Sequence, residues 1–143
     1  INFSLHKRLR AEITDTNKAI KQCTGHVPRF YRAPHGFKNP ALGDVLTQEG
    51  MLAVGWQVRA FDAVSSNAAK IAERIVDKAR PGGVILLHDG AGLQGSDDRS
   101  ATVDALPVII DGLRAKGFDI VRLDELLQIE PYMQAEQPEP QPA

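Results

Sequence analysis

Apolar residues along this chain switch between two spacings, and the switching sets out its elements. Leu9, Ile13 and Ile20 recur at roughly helical intervals before Thr24 and Gly25 close the segment, which predicts a helix from about Leu5 to Cys23. The short run "RFYRAP" follows as a strand stopped by Pro34. "NPALGDVLTQEG" reads as a second helix, with Asn39 as N-cap, Pro40 at the first helical position and Gly50 just past the end. "MLAVGW" is the next strand.

Beyond a polar connection, Ser66 is expected to cap a helix whose apolar stripe is Ile71, Ile75, Val76 and Ala79, ended by "PGG". "VILLH" is a continuous apolar run, as a strand covered on both faces requires. Val103, Leu106, Ile110 and Leu113 form another helical stripe ending at Gly117, after which "FDIVRL" reads as a fourth strand and "DELLQI" as the start of a last short helix. Consecutive strands joined by helical crossovers run parallel, so the pattern predicts an α/β layer or barrel segment.

Composition narrows the class. The 143 residues carry a formal net charge of -1, with enough apolar residues for one core. No Lys/Arg block offers an electrostatic footprint for nucleic acid or an anionic membrane, and neither partner is expected. No run approaches the ~18 apolar residues of a membrane-spanning helix. Cys23 is the single cysteine, which excludes an internal disulfide framework or a CxxC metal knuckle. The opening "INFSLHKRLRAEI" has neither an initiator Met nor the pattern of a signal peptide, so the chain is expected to begin inside a longer protein. Residues 131–143, "PYMQAEQPEPQPA", are rich in Pro, Gln and Glu and read as a disordered tail, leaving 1–130 as the folded part.

Parallel α/β sheets bind ligands at the carboxyl ends of their strands, where the loops converge. The first strand ends in Arg32, Pro34 and His35; the second ends in Trp56 and runs out to Asp62; the third ends in His88 and Asp89. Each has an ordinary structural role open to it: a surface ion pair for Arg32, a loop cap for Asp62, a hydrogen-bonded strand end for His88. Their joint placement at three strand termini favours a site. Asp124 at the fourth strand end is more simply an N-cap.

At these residues the sequence resembles the polysaccharide deacetylase family, the carbohydrate esterases with the NodB homology domain. "RFYRAPHG" is similar to the family's Arg-x-Pro strand end, "GWQVRAFDA" to the motif in which a strand Trp precedes an Asp-Trp pair, and "VILLHDG" to its Leu-x-His motif. The resemblance implies the carboxyl-terminal part of an irregular (β/α) barrel whose parallel strands alternate with helices. It further implies that His88 is the general acid protonating the departing amine or alcohol, that Asp62 holds the imidazole and stabilises its charged form, and that Arg32 orients the general-base carboxylate. Leu86 would line the acetyl methyl pocket, the backbone N–H at His35 beside Pro34 would hold the tetrahedral oxyanion, and Trp56 would pack at the sugar groove.

Two departures shape the expectation. Ala63 stands where the family has Trp after the motif Asp, and both the Asp-Asp pair and the His-Ser/Thr-x-x-His metal motif are absent. His6 does not fit the latter, because Phe3 occupies the Ser/Thr position. The resemblance thus implies that a divalent metal, most simply zinc, belongs to an amino-terminal half outside this chain, and that this chain alone binds little metal and is inactive. The expected partners are an acetylated glycan and that missing half; the family implies a secreted, periplasmic or cell-envelope setting. A noncatalytic carbohydrate-binding or scaffolding remnant of the same fold is the competing expectation.

Overall fold

The computed structural model describes residues 2–36, 39–90 and 98–134. Its elements are α1 (Asn2–Thr24), β1 (Phe30–Tyr31), a single 3-10 turn (Pro34–Gly36), α2 (Pro40–Gln48), β2 (Leu52–Ala53), β3 (Val58–Arg59), α3 (Ala68–Lys78), β4 (Ile85–Leu86), α4 (Ser100–Ala115) and α5 (Leu123–Leu127). They fall into two units, Ile1–Val54 with Gln128–Ala143, and Gly55–Leu127.

In the first unit, α2 starts where the sequence signals it. Asn39 accepts a hydrogen bond from the Leu42 N–H at 2.8 Å, and Pro40, which has no N–H to satisfy, opens the helix. The helix ends in a Schellman motif. Gly50 takes φ +66, which costs a residue without Cβ little, and the Met51 N–H reaches back to the Leu46 carbonyl at 2.8 Å. That turn carries Met51 into a core of Ile13, Leu42, Val45 and Leu46. β1 and β2 pair in parallel, Phe30 opposite Leu52 and Tyr31 opposite Ala53. Residues read as the start of a tail belong to this unit: Tyr132 bridges Pro28 in antiparallel fashion, the Met133 N–H donates to the Val27 carbonyl at 2.9 Å, and the Tyr132 and His26 rings stack 4.7 Å apart. The paired chain therefore reaches Met133, past the boundary read from composition; residues 135–143 lie outside the described residues.

In the second unit, β3 and β4 pair in parallel, Val58 opposite Ile85 and Arg59 opposite Leu86. Val58 and Ala60 turn into a core with Ile71, Ala72 and Ile75 of α3 and Ala105, Ile109 and Leu113 of α4. Burying Ile71 and Ile75 completely contributes on the order of 1.5–3 kcal/mol each. The α3 cap is Asn67, which accepts from the Lys70 N–H at 2.9 Å, one residue later than Ser66. α4 buries Thr102, Ala105, Ile109 and Leu113; of the expected stripe Leu113 turns inward, whereas Val103 and Leu106 are exposed. Small residues decide this face, because a Cβ at Gly112 would sit 2.7 Å from Val76 Cγ2.

The architecture is α/β with parallel ladders, but the strands are shorter than their sequence runs. "MLAVGW" pairs only over Leu52–Ala53, in the first unit, and a separate strand that it does not include, Val58–Arg59, follows it in the second. "FDIVRL" forms no strand among the described residues: residues 118–122 have no ladder partner there, and a strand exists only by pairing. Asp124 is not the α5 cap; it lies inside the first turn and pairs with the Arg122 guanidinium.

Candidate acid pair at the ends of two strands

Phe61 sits just beyond β3 with φ +58, a backbone conformation that costs a non-glycine residue on the order of 1–3 kcal/mol. The turn sends neighbouring side chains in opposite directions. The Phe61 ring is 40% exposed, whereas Asp62 is 2% exposed. Buried there, the Asp62 carboxylate needs donors, and it has three. Its Oδ2 accepts the His88 backbone N–H at 2.6 Å and the Thr102 hydroxyl at 3.3 Å, and its Oδ1 lies 3.0 Å from His88 Nδ1.

His88 stands two residues past β4, so the parallel pairing of β3 with β4 brings the two ends together. Facing a carboxylate that only accepts, Nδ1 carries the ring proton in the neutral tautomer, and Nε2 is left as the reactive nitrogen. Among the described residues Nε2 has no hydrogen-bond partner, and the side chain is 37% exposed. The arrangement can move a proton at Nε2 while the ring stays fixed and its positive charge, when present, is countered by Asp62.

The other expected site residues are placed as follows. Leu86 is buried on β4 opposite Arg59. Trp56, two residues before β3, is half-buried and lines a groove with Arg59, Phe61 and Arg74. Arg32, Pro34 and His35 are exposed and belong to the first unit; His35 takes φ +54 within the 3-10 turn. His6 is held by Asp44 of α2, with Nε2 3.2 Å from Oδ2.

Sequence reasoning missed Thr102 and Arg99. Thr102 reaches Asp62 from 40 positions away, and no local pattern marks such a contact. Arg99 donates from Nη1 to the Ala63 carbonyl at 3.3 Å, and its buried Nε has no partner among the described residues. Asp98 accepts the Ser100 N–H at 2.9 Å; that bond and the Ser100 hydroxyl hold its carboxyl below the ordinary value.

Comparison with known proteins gives one consistent answer. Residues 2–54 match the polysaccharide deacetylase family. The chain is 30% identical over 122 residues to a chitooligosaccharide deacetylase of Bradyrhizobium sp. (strain ANU 289), covering 80% of this chain and 56% of that protein. It is 32% identical over 121 residues to a peptidoglycan-N-acetylglucosamine deacetylase of Bacillus cereus, covering 83% and 42%. A crystal structure of a peptidoglycan N-acetylglucosamine deacetylase, in complex with 4-naphthalen-1-yl-N-oxidanyl-benzamide, superposes with a TM-score of 0.78 at 28% identity, covering 87% of this chain and 56% of that one. The chain thus spans about half the length of these relatives.

Proposed function

Because the chain belongs to the polysaccharide deacetylase family, we propose that it is the carboxyl-terminal part of an irregular (β/α) barrel that hydrolyses acetyl groups from an N-acetylated or O-acetylated polysaccharide, and that it supplies the general acid. The observation that carries this reading is the Asp62–His88 pair. When water has added to the acetyl carbon, the tetrahedral adduct collapses by breaking its bond to the sugar nitrogen or oxygen. Expelling an unprotonated amide ion or alkoxide is very unfavourable. His88 would give its Nε2 proton to that leaving atom as the bond breaks, releasing a neutral amine or alcohol and acetate. Asp62 would keep the ring oriented and balance its charge beforehand.

The remaining roles are proposed with it. Arg32 would orient the general-base carboxylate, the His35 N–H beside Pro34 would face the oxyanion, Leu86 would line the methyl pocket, and Trp56 would contact sugar. A divalent metal, zinc first, would activate the attacking water in the complete domain. Among the described residues no three His, Cys, Asp or Glu side chains gather where a metal ion could sit, so no step is assigned to it. An acetylated wall or matrix glycan as substrate implies a secreted or cell-envelope setting.

The test is acetate release by the complete protein, supplied with zinc, from chito-oligosaccharides, peptidoglycan and acetylated xylan. Release from at least one is expected. A folded, metal-loaded protein that releases none would contradict the reading and leave a glycan-binding remnant.

A further inference from the structure

A groove of about 520 Å³ in the second unit gathers four cations, Arg59, Arg74, Lys78 and Arg80, with the side chains of Trp56 and Phe61, and no carboxylate lines it. The guanidinium carbons of Arg59 and Arg74 lie 4.4 and 4.5 Å from the centroid of the Phe61 ring. Arg74 Nε donates to the Arg59 carbonyl at 3.1 Å, which fixes it there. Among the described residues none of the four cations has an acidic partner. Asp77 of the same helix, which could have neutralised them, instead pairs with Lys116 at 3.9 Å. Arg80 uses Nη1 on the carbonyls of Asp77 and Ala79, and the rest of its guanidinium makes no hydrogen bond among the described residues.

Like charges collected without a counter-charge repel one another, and an anion entering among them relieves that repulsion. Arginine stacked on an aromatic ring presents a planar edge suited to bidentate contact with carboxylate or phosphate. The ring that carries both stacks is also the residue strained at φ +58. Such strain is a feature of ligand clamps. Three exposed cations and the half-buried Arg74, together with a half-buried indole, describe a surface that takes a charged group and the flat face of a ring at once.

We propose that this groove binds an anionic saccharide, with a carboxylate or phosphate among Arg59, Arg74, Lys78 and Arg80 and a sugar ring against Trp56. The anionic half of this assignment rests on the groove alone; the saccharide half rests on the glycan reading above. Recognition of charge here is separate from proton transfer at His88.

Trp56 is the sole tryptophan of the chain, so intrinsic fluorescence reports on the groove directly. The 143-residue chain is titrated with an oligogalacturonate, a phosphodiester-linked sugar oligomer, a neutral chito-oligosaccharide and inorganic phosphate. At least one anionic oligomer should change Trp56 emission saturably and bind tenfold or more tighter than the neutral one, weakening as salt rises. Which of the two does so identifies the anionic group. Arg59→Gln with Arg74→Gln should weaken that binding tenfold or more; if that pair unfolds the chain, Lys78→Gln with Arg80→Gln serves instead. Equal binding of neutral and anionic oligomers, or unchanged binding in the variants, would overturn the proposal. Inorganic phosphate binding as tightly as the oligomers would overturn the saccharide half. No deacetylation is read, so failure here leaves the acid pair untouched.

Discussion

His88 is hydrogen-bonded to Asp62 twice, through its backbone N–H to Oδ2 at 2.6 Å and through ring Nδ1 to Oδ1 at 3.0 Å. One buried carboxylate therefore fixes both the main chain at the end of β4 and the tautomer of the imidazole that follows it. Stability and chemistry meet at the same two oxygens.

Asp62→Asn separates the two contributions poorly, and that is informative. An amide offers one oxygen where three donors converge, so at least one N–H of His88 would face an NH2 group. The substitution should destabilise the chain by roughly 1–3 kcal/mol, the cost of a buried unsatisfied donor. Urea unfolding measures this, and nitrogen NMR of His88 should show the proton leaving Nδ1 for Nε2. Unchanged stability together with an unchanged tautomer would mean that the pairing does not exist in solution.

Thr102 gives a milder perturbation of the same carboxylate. Thr102→Val keeps the shape and removes the hydroxyl from Asp62 Oδ2, and should lower stability by about 0.5–1.5 kcal/mol. Thr102→Ser, which keeps the hydroxyl, should recover part of that loss. Equal stability of the Val and Ser variants would show that the hydroxyl contributes nothing.

The placement of Asp62 and His88 near strand ends was legible from the alternation of apolar runs, but their pairing came from the resemblance to the polysaccharide deacetylase motifs, and the strand that brings them together, Val58–Arg59, lies past the run "MLAVGW" read as its strand. The α2 caps were legible because Asn39, Pro40 and Gly50 act within one turn. What escaped depends on neighbours distant in sequence. The face of α4 could not be chosen between two stripes of equal spacing without knowing that Gly112 abuts Val76. "FDIVRL" has strand composition, yet composition does not supply a partner. The early part of the tail read as disordered because Pro131 and Tyr132 find their partners near Val27, a pairing no local pattern announces.

Two helical glycines should behave oppositely, Gly112 where α4 approaches α3 closely and Gly43 in the open interior of α2. Gly112→Val pushes carbon into a place where even a Cβ meets Val76 Cγ2 at 2.7 Å, and should cost about 1–3 kcal/mol through overpacking. Gly43, inside α2 with nothing within 4 Å of an added Cβ, should tolerate Ala with a gain of roughly 0.5–1 kcal/mol. Thermal unfolding of the two variants beside the parent chain distinguishes them by sign. A stabilising Gly112→Val would refute the packing described.

Asp124 sets a pH signature on the surface. The Arg122 guanidinium hydrogen-bonded to it holds its carboxyl below the ordinary value of 3.8. A carboxyl depressed in the folded chain adds stability above its unfolded value, and that contribution is lost as pH falls below about 3.8 toward the folded value. Arg122→Ala should move the Asp124 titration upward toward 3.8, as read by carboxyl NMR, with little change in overall stability because Arg122 itself is exposed. A midpoint that stayed put would remove Arg122 as the cause.

The central claim is that His88 delivers the proton that frees the sugar from its acetyl group. The most direct measurement is acetate release by the complete, metal-loaded protein bearing His88→Gln, compared with the parent under the same conditions and with metal content determined for both. A fall of roughly 10²–10⁴-fold in turnover, at equal metal content and unchanged folding, is the predicted result. Turnover within a few-fold of the parent would contradict it.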